Sequence, residues 1–518
     1  MFIFTLIIHF WRCHPALLYG ISLLLGIYSS LYSLPHSLLP LMALWLPFLV
    51  AVYRQGMSYL KPLLLSLAVF FSSWAYMSVH YQFPELPEEG VGGLAHISID
   101  SLTRHTSPFG TRWIYACHLQ HFFADSPISQ PLVAKQVKCL IALPQKEEIE
   151  RPPADRDYVL RGKLLQTEQG SYFLKMPLSS SWLGVEGSAS WAERRYHWKS
   201  KAKEWIQHQF ADAIAGKFLA ALATGELDEQ WIRREFGRFG LQHILAISGF
   251  HFAILAGLFS FLIQWILPRR ISAFVLLIGM AAYCLFLGIN ASVLRAWIMS
   301  SLAIAGYLIE KQGNALNALG IALMAVLFID PLLSQTIGFQ FSFLTTAAIL
   351  LAYHPAHILL QEIIRKRPLS EAIEMNGWNQ HAYCLLAFFR QGLALTFAVN
   401  LFALPLTLYY FHQFPLMGLF YNLFFPLLIT GSLSLLLAGL LFSWLPFVGN
   451  GLQALNNAYT KTILQLTYHL PQEMDSYLIM ETFPTAWLAF YLSVMGLACI
   501  AWKSYQENEE EKKDFAFI

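Results

Sequence analysis

Charge is scarce in this 518-residue chain: 13% of the residues are Asp, Glu, Lys or Arg, while 56% are hydrophobic. Soluble domains carry about 25% charged residues, so composition excludes an ordinary soluble globule. The formal net charge is +2. No global basic bias draws the whole surface toward nucleic acid, and any contact with a polyanion has to be local. Cysteine is sparse as well. Cys13, Cys117, Cys139, Cys284, Cys384 and Cys499 stand apart without CxxC spacing, which argues against a zinc cage or a dense disulfide framework. Cys117 and Cys139 alone share the polar segment described below, as two buried strand thiols or, if that segment faces an oxidising compartment, as a disulfide. The N-terminus lacks a short apolar run ending in a cleavage site, and it reads as an uncleaved signal anchor.

What the chain has in quantity is long apolar runs. Three open it, near residues 16–31, 38–52 and 62–79. Arg12 precedes the first, Arg54 and Lys61 separate the second from the third, and the loop between the first two has no Lys or Arg. The positive-inside rule then places the N-terminus in the cytoplasm and the following segment outside. Further runs near 243–267, 271–288, 293–309, 315–329, 338–353, 385–410, 416–442 and 486–502 bring the expectation to about 11 spans, or one more if an amphipathic piece near 452–470 crosses. The expected architecture is a polytopic α-helical protein of the cytoplasmic (inner) membrane: helices in 1–80, an external β domain in 81–193, amphipathic surface helices in 194–240, a second membrane domain in 241–503 and a charged tail in 504–518. Residues 81–240 are expected on the external, periplasmic side.

The external segment is polar and rich in Pro and Gly, with alternating runs such as Gln136 to Ile141, Tyr158 to Leu164 and Ser171 to Met176. Period-two alternation bounded by turn residues indicates strands, and about a hundred residues of it fit a small β-barrel or sandwich. Cations and carboxylates balance there, so it carries no electrostatic funnel. A barrel can still hold a nucleic-acid strand by stacking on aromatics such as Trp113 and Tyr172, although aromatics at such positions also build cores. After it, Arg194, Arg195, Lys199 and Lys201 interleave with Tyr196 and Trp198. That pattern suits a helix lying on a membrane surface, and it also suits a strip that tracks phosphates.

Polar groups inside apolar runs are costly, about 2.5 to 3.5 kcal/mol for a central charge, so each marks a possible pathway. His243, Ser248 and His251 sit at the start of one run and are candidates to line a polar conduit. Gly249, Ala253 and Gly257 form a small-residue ridge on the same helix that serves close packing instead. Asn290 and Arg295 come next; a guanidinium stays charged at any reachable pH and matches a phosphate, or snorkels if it lies near the interface. Asp330-Pro331 breaks the chain before a run containing Gln340, and interrupted helices are tolerated only where protein or a watery cavity satisfies the freed backbone. A last polar and aromatic elbow runs from Pro405 to Asn422.

These stretches, in this order, resemble the competence domain of the ComEC family, the membrane channel of bacterial DNA uptake. His243 to His251, reading H-I-L-A-I-S-G-F-H, is similar to the family's H-L-L-A-I-S-G-L-H run. Ser292 to Ala296, Asp330-Pro331 with Gly338 to Phe343, and the Pro405 to Asn422 elbow agree with it. Pro153-Ala154-Asp155-Arg156 and Gly162-Lys163-Leu164 resemble turns of the family's external OB-like domain. The resemblance implies a channel for single-stranded DNA lined by His243, Ser248, Gly249, His251, Asn290, Arg295 and Gln340. External contacts would come from Arg194, Arg195, Lys199, Lys201, Trp113 and Tyr172. It implies no catalytic residues, cofactor or metal. The partners implied are membrane lipid, a separate DNA receptor, a cytoplasmic helicase or motor, single-strand-binding proteins and further copies of the chain. Longer family members continue into a metallo-β-lactamase-like domain; no H-x-H-x-D-H run occurs here, so two-metal cleavage is not expected. The rival readings are a small-solute secondary transporter built on interrupted helices and an intramembrane hydrolase using Ser248 and His251, which lacks an oriented base.

Overall fold

A computed structural model of the protein describes residues 2–32, 35–55, 57–81, 86–107, 110–125, 133–145, 151–166, 172–177, 181–227, 229–245, 249–311, 313–468 and 475–516. The first apolar runs fold as α1 (Phe2–Cys13), α2 (Pro15–Leu31), α3 (Pro35–Gln55) and α4 (Leu60–His80). Pro15 occupies the first turn of α2, where its missing N–H is not needed, and the chain bends by 97° between α1 and α2.

The external segment closes on itself. Strand β1 (Val91–Ser107) pairs with β2 (Gly110–Ala124), β2 with β3 (Val133–Pro144), β3 in parallel with β5 (Tyr172–Lys175), β5 with β4 (Tyr158–Gln166), and β4 back with β1. The result is a five-stranded barrel in the cyclic order 1-2-3-5-4, with the short β6 (Leu183–Gly184) added beside β4. Closure removes the free edges that a sheet of this length would expose. Alternate residues such as Ile97, Tyr115, Leu119, Ile141 and Leu164 fill the bore as one apolar core. The three alternating runs read from the sequence all fall on strands.

Four helices follow: α5 (Ala192–His208), α6 (Ala213–Thr224), α7 (Gln230–Arg238) and the one-turn α8 (Gln242–Leu245). Asp212 caps α6 by accepting from the amides of Ile214 and Ala215. The rest of the chain forms α9 (Gly249–Ile266), α10 (Arg269–Leu287), α11 (Ala291–Leu308), α12 (Ala315–Ile329), a 3-10 turn at Pro331–Gln335, α13 (Ile337–Ile363), α14 (Leu369–Glu374), α15 (Gly377–Phe411), β7 (Gln413–Pro415), α16 (Gly418–Leu441), α17 (Pro446–Tyr468), β8 (Tyr477–Ile479) and α18 (Thr485–Ala516). The helices of residues 1–80 are not a separate unit. They share one buried core with α9 to α13, α15 and α18. Gly320 of α12 lies directly on the backbone of Ala16 and Leu17, a close approach that any side chain would block. Residues 206–245 are likewise more than a surface layer: Phe218, Leu222, Ile232 and Phe236 are buried with Ile429, Leu433 and Ile463 of α16 and α17.

Among the described residues seven helices are long and apolar enough to cross a membrane, eight if the bent α1–α2 pair counts as one. The expectation of about 11 also counts the runs that fold as α2, α3, α9 and α12. At 15 residues, α12 measures roughly 22 Å, short of ~30 Å of hydrocarbon. The protein is therefore a multi-pass membrane protein with a β domain.

The piece near 452–470 is resolved by topology. Strands β7 and β8 pair with each other, and α16 and α17 between them form an antiparallel hairpin, joined by the Ser432 to Thr460 hydroxyl contact at 3.0 Å. Whatever depth α16 traverses, α17 traverses in return. Its polar residues are affordable because Asn456, Thr460 and Thr467 turn inward, fully buried. From β8, α18 runs to the opposite side, where Glu507 meets His14 at 3.3 Å and Gln506 meets His354 of α13. The charged tail and the α1–α2 elbow therefore share one face, opposite the barrel.

Candidate functional site

The site is best built outward from Arg295, one turn into α11. Asn290 starts that helix: its side-chain oxygen accepts from the amide of Ser292 at 3.0 Å, satisfying one of the free N–H groups of the first turn. Asn290 is exposed and has the structure of a cap. Arg295 reaches across to α13, where its Nε donates to Ser342 Oγ at 2.8 Å and its Nη1 donates to Thr346 Oγ1. Its remaining nitrogen lies against Gly249 at the start of α9; a Cβ built there would stand 2.7 Å from Arg295 Nη2. Gly249 is thus the floor of a guanidinium cradle. Among the described residues no carboxylate pairs with Arg295, so three helices converge on a positive charge held only by neutral hydroxyls.

The other expected lining residues surround this point unevenly. His251 is buried on α9, two residues beyond Gly249. His243 sits on α8, exposed, with its Nδ1 3.1 Å from the Gly240 carbonyl oxygen. Ser248 lies outside the described residues. Gln340 faces a different seam: its amide donates to Ser334 O at 3.3 Å and its oxygen accepts from Tyr410 O–H at 2.6 Å. Tyr28 of α2 donates to the same Ser334 carbonyl at 2.9 Å. Gln340 is therefore a cross-link between the 3-10 turn, α13 and the end of α15.

The expected external contacts separate by environment. Tyr172 is 6% exposed in the barrel core and presents no face for stacking; it sits at an inward position of β5, so the apolar bore claims the ring. Trp113 is already flanked by guanidinium groups, Arg151 at 4.8 Å and Arg104 at 5.9 Å. Lys199 is committed to Glu226 at 3.0 Å, and Arg195 donates to the Asp100 carbonyl at 2.5 Å. Arg194 stacks over Trp191 at 5.1 Å but remains exposed, as does Lys201. The strip's two cation pairs thus split, one turned inward and one outward, as a helix of 3.6 residues per turn packed on one side requires.

The stretches that converge on Arg295, Gln340 and the α15–α16 elbow lie in a segment, residues 223–505, that matches the model of the competence protein family. That is more than half of the chain. The protein belongs to the ComEC family. It is also similar to ComE operon protein 3 of Bacillus subtilis (strain 168), at 27% identity over 196 residues, 38% of this chain and 22% of that protein. The match spans about a fifth of that relative's length. No solved structure matches.

Within the ComEC segment the structure adds residues that pattern reading passed over. Ser342 and Thr346 are four apart on α13 and so share a face; that spacing was the available signal. Arg390 is the only charged residue between His381 and His412. It is 3% exposed and donates through Nη1 to Ile364 O at 3.1 Å, capping the far end of α13. Among the described residues no group of three or more His, Cys, Asp or Glu is arranged to hold a metal ion. In the barrel, Glu193 of α5 takes both arms of Arg151 at 2.6 and 2.9 Å and the Ala154 amide at 2.7 Å. Burial works to raise the Glu193 carboxyl, but these contacts outweigh it and hold it below the ordinary range.

Proposed function

We propose that this ComEC-family protein acts in DNA uptake during competence, conducting one strand of DNA through the membrane bundle past Arg295. The observation that carries this reading is the carboxylate-free guanidinium at the convergence of α9, α11 and α13. A strand of DNA is charged along its whole length, and lipid offers it no path, so passage requires a protein-lined route with cations. Those cations must be few, because binding strong enough to admit the strand and weak enough to release it is the condition for conduction. Arg295 contacts Thr346 about a third of the way along α13 and Arg390 contacts Ile364 at its C-terminal end, roughly 27 Å apart at 1.5 Å per residue. Two guanidinium groups along one helix meet that requirement.

We read the barrel as OB-type, external, and the first part of the protein to meet DNA, with Arg194 and Lys201 as the exposed cations beside it. The N-terminus and the tail are then cytoplasmic. A DNA receptor, a motor, single-strand-binding proteins and further copies of the chain are the partners this role requires. No catalytic step is assigned to the chain.

The test is import of fluorescently labelled DNA into the cytoplasm of cells carrying Arg295→Ala or Arg295→Lys at wild-type protein levels. The expected result is import reduced at least ~10-fold by alanine and largely restored by lysine. Unimpaired import with alanine would remove Arg295 from the path.

A further inference from the structure

The barrel and the membrane bundle have separate apolar cores: one cluster holds the barrel residues, another the helices, and no described residue belongs to both. Their seam is polar instead, and its chemistry is concentrated on few side chains. Strand β1 bulges between Ile99 and Ser101, which re-aims Asp100 out of the pleat and frees its carbonyl. That carbonyl accepts from Arg195, whose guanidinium also packs against Gly288 at the α10–α11 turn. The Asp100 carboxylate lies 3.2 Å from His118 Nε2. His118 and Lys138 are directly opposed on β2 and β3 and so project from one face of the barrel.

Asp330 approaches that face from the bundle, at the end of α12. One carboxylate oxygen accepts from the Leu332 amide at 2.9 Å and starts the 3-10 turn. The other takes Lys138 Nζ at 2.6 Å and lies 3.7 Å from His118. The Asp330 side chain is 13% exposed. A charge so placed is strongly held when paired and strongly unfavourable when left alone.

We propose that Asp330 is a positioning residue for DNA entry, its carboxylate latching the barrel through Lys138 and His118 onto the mouth of the helical bundle. The role in entry rests on the uptake reading above; the latch itself does not. Burial tends to raise the Asp330 carboxyl, and the His118 and Lys138 contacts overcome this and hold it below its ordinary range, as a latch made with the charged form requires. The same seam explains why Asp330-Pro331 stands where it does. Proline at the first position of the turn leaves no competing N–H, and the aspartate is free to divide its two oxygens between the turn and the barrel.

The experiment uses the full chain in membranes, with Cys384→Ser and spin labels at Leu183→Cys on the barrel and Ile289→Cys on the α10–α11 turn, both exposed. Asp330→Lys and Lys138→Asp are each expected to broaden or shift the distance distribution and to cut import of labelled DNA at least ~10-fold. The double charge swap is expected to restore the distances and to recover import to within about threefold. Asp330→Asn, which can still cap the turn, is expected to behave like the single swaps and so separates latching from folding. Unchanged distances in the single swaps, or no recovery in the double, would overturn the latch. Altered distances with wild-type import would overturn its role in entry. A wild-type chain that imports no DNA would overturn the uptake reading, while the distances still decide the latch.

Discussion

Gly249→Ala is the sharpest probe of the cradle, because it adds one methyl and removes nothing. That methyl would stand 2.7 Å from Arg295 Nη2 and 3.6 Å from Ala296 Cβ. Ordinary contact needs about 3.5 Å, so the guanidinium has to withdraw by roughly 0.8 Å. A flexible arginine would do so freely, but this one is fastened by Ser342 and Thr346. Moving it takes the 2.8 Å bond to Ser342 toward about 3.5 Å, where a hydrogen bond is effectively lost. A bond to a charged group is worth about 1.5 to 3 kcal/mol and overpacking costs about 1 to 3 kcal/mol. The expected destabilisation is about 2 kcal/mol, read as a lowered unfolding midpoint in detergent. DNA import should fall with it. The decisive control is the double variant Gly249→Ala with Arg295→Gln, whose shorter side chain leaves room for the methyl: the alanine should then cost less than about 0.5 kcal/mol, a coupling of at least about 1 kcal/mol between the two sites. Destabilisation by alanine that is the same with arginine or glutamine at 295 would refute the cradle, as would no destabilisation at all.

Asn290→Ala should lower stability by about 1 kcal/mol through loss of the cap on α11 while leaving DNA import per folded molecule unchanged, which calibrated unfolding and import on the same preparations will check. Arg390→Met should free the α13 end at Ile364, and a conduit role predicts slower import beyond what amide exchange at that end accounts for. Glu193→Gln should loosen α5 from the barrel by about 1.5 to 3 kcal/mol, seen as earlier thermal loss of the near-ultraviolet signal of Trp113 and Tyr196. In the wild type the Glu193 carboxyl is held below its ordinary range. Its stabilisation is therefore present above the unfolded value of about 4.3 and lost as pH falls through the lower folded value, so the wild type should be steady from about pH 5 to 8 and weaken below about 4.

Much of the fold was legible because two periodicities carry it. The alternating runs at Gln136, Tyr158 and Ser171 could only put one face inward as strands. The runs alone left barrel and sandwich open, since the pairing of β4 back onto β1 that closes the ring is a contact between distant residues that no local pattern encodes. Apolar length alone does not separate the seven long helices from the runs that fold as α2, α3, α9 and α12. A short helix such as α12 has the composition of a span, and its length depends on the cap at Asn314. In α17, Asn456, Thr460 and Thr467 lower the hydropathy although they are fully buried, Thr460 against Ser432 of α16.

The candidate site divides along the same physical line. Arg295 and Gly249 were legible as unusual residues in apolar runs, yet their relation was not: the glycine reads as a packing ridge from its own helix and becomes a cradle only once α11 is laid beside it. Gln340 was read as a lining residue on the same argument, and its two bonds are to Ser334 and Tyr410. A costly polar group in an apolar run marks a place where something must satisfy it; whether that is a neighbouring backbone or a passing ligand depends on which bonds remain to be made. Gln340 has one partner for its amide and one for its carbonyl, both within the fold. Arg295 has hydroxyl partners for two of its five N–H groups and, among the described residues, none that neutralises its charge. On the proposed function, that residual charge, rather than rarity in the sequence, is what separates a residue that holds the bundle together from one that meets an anion.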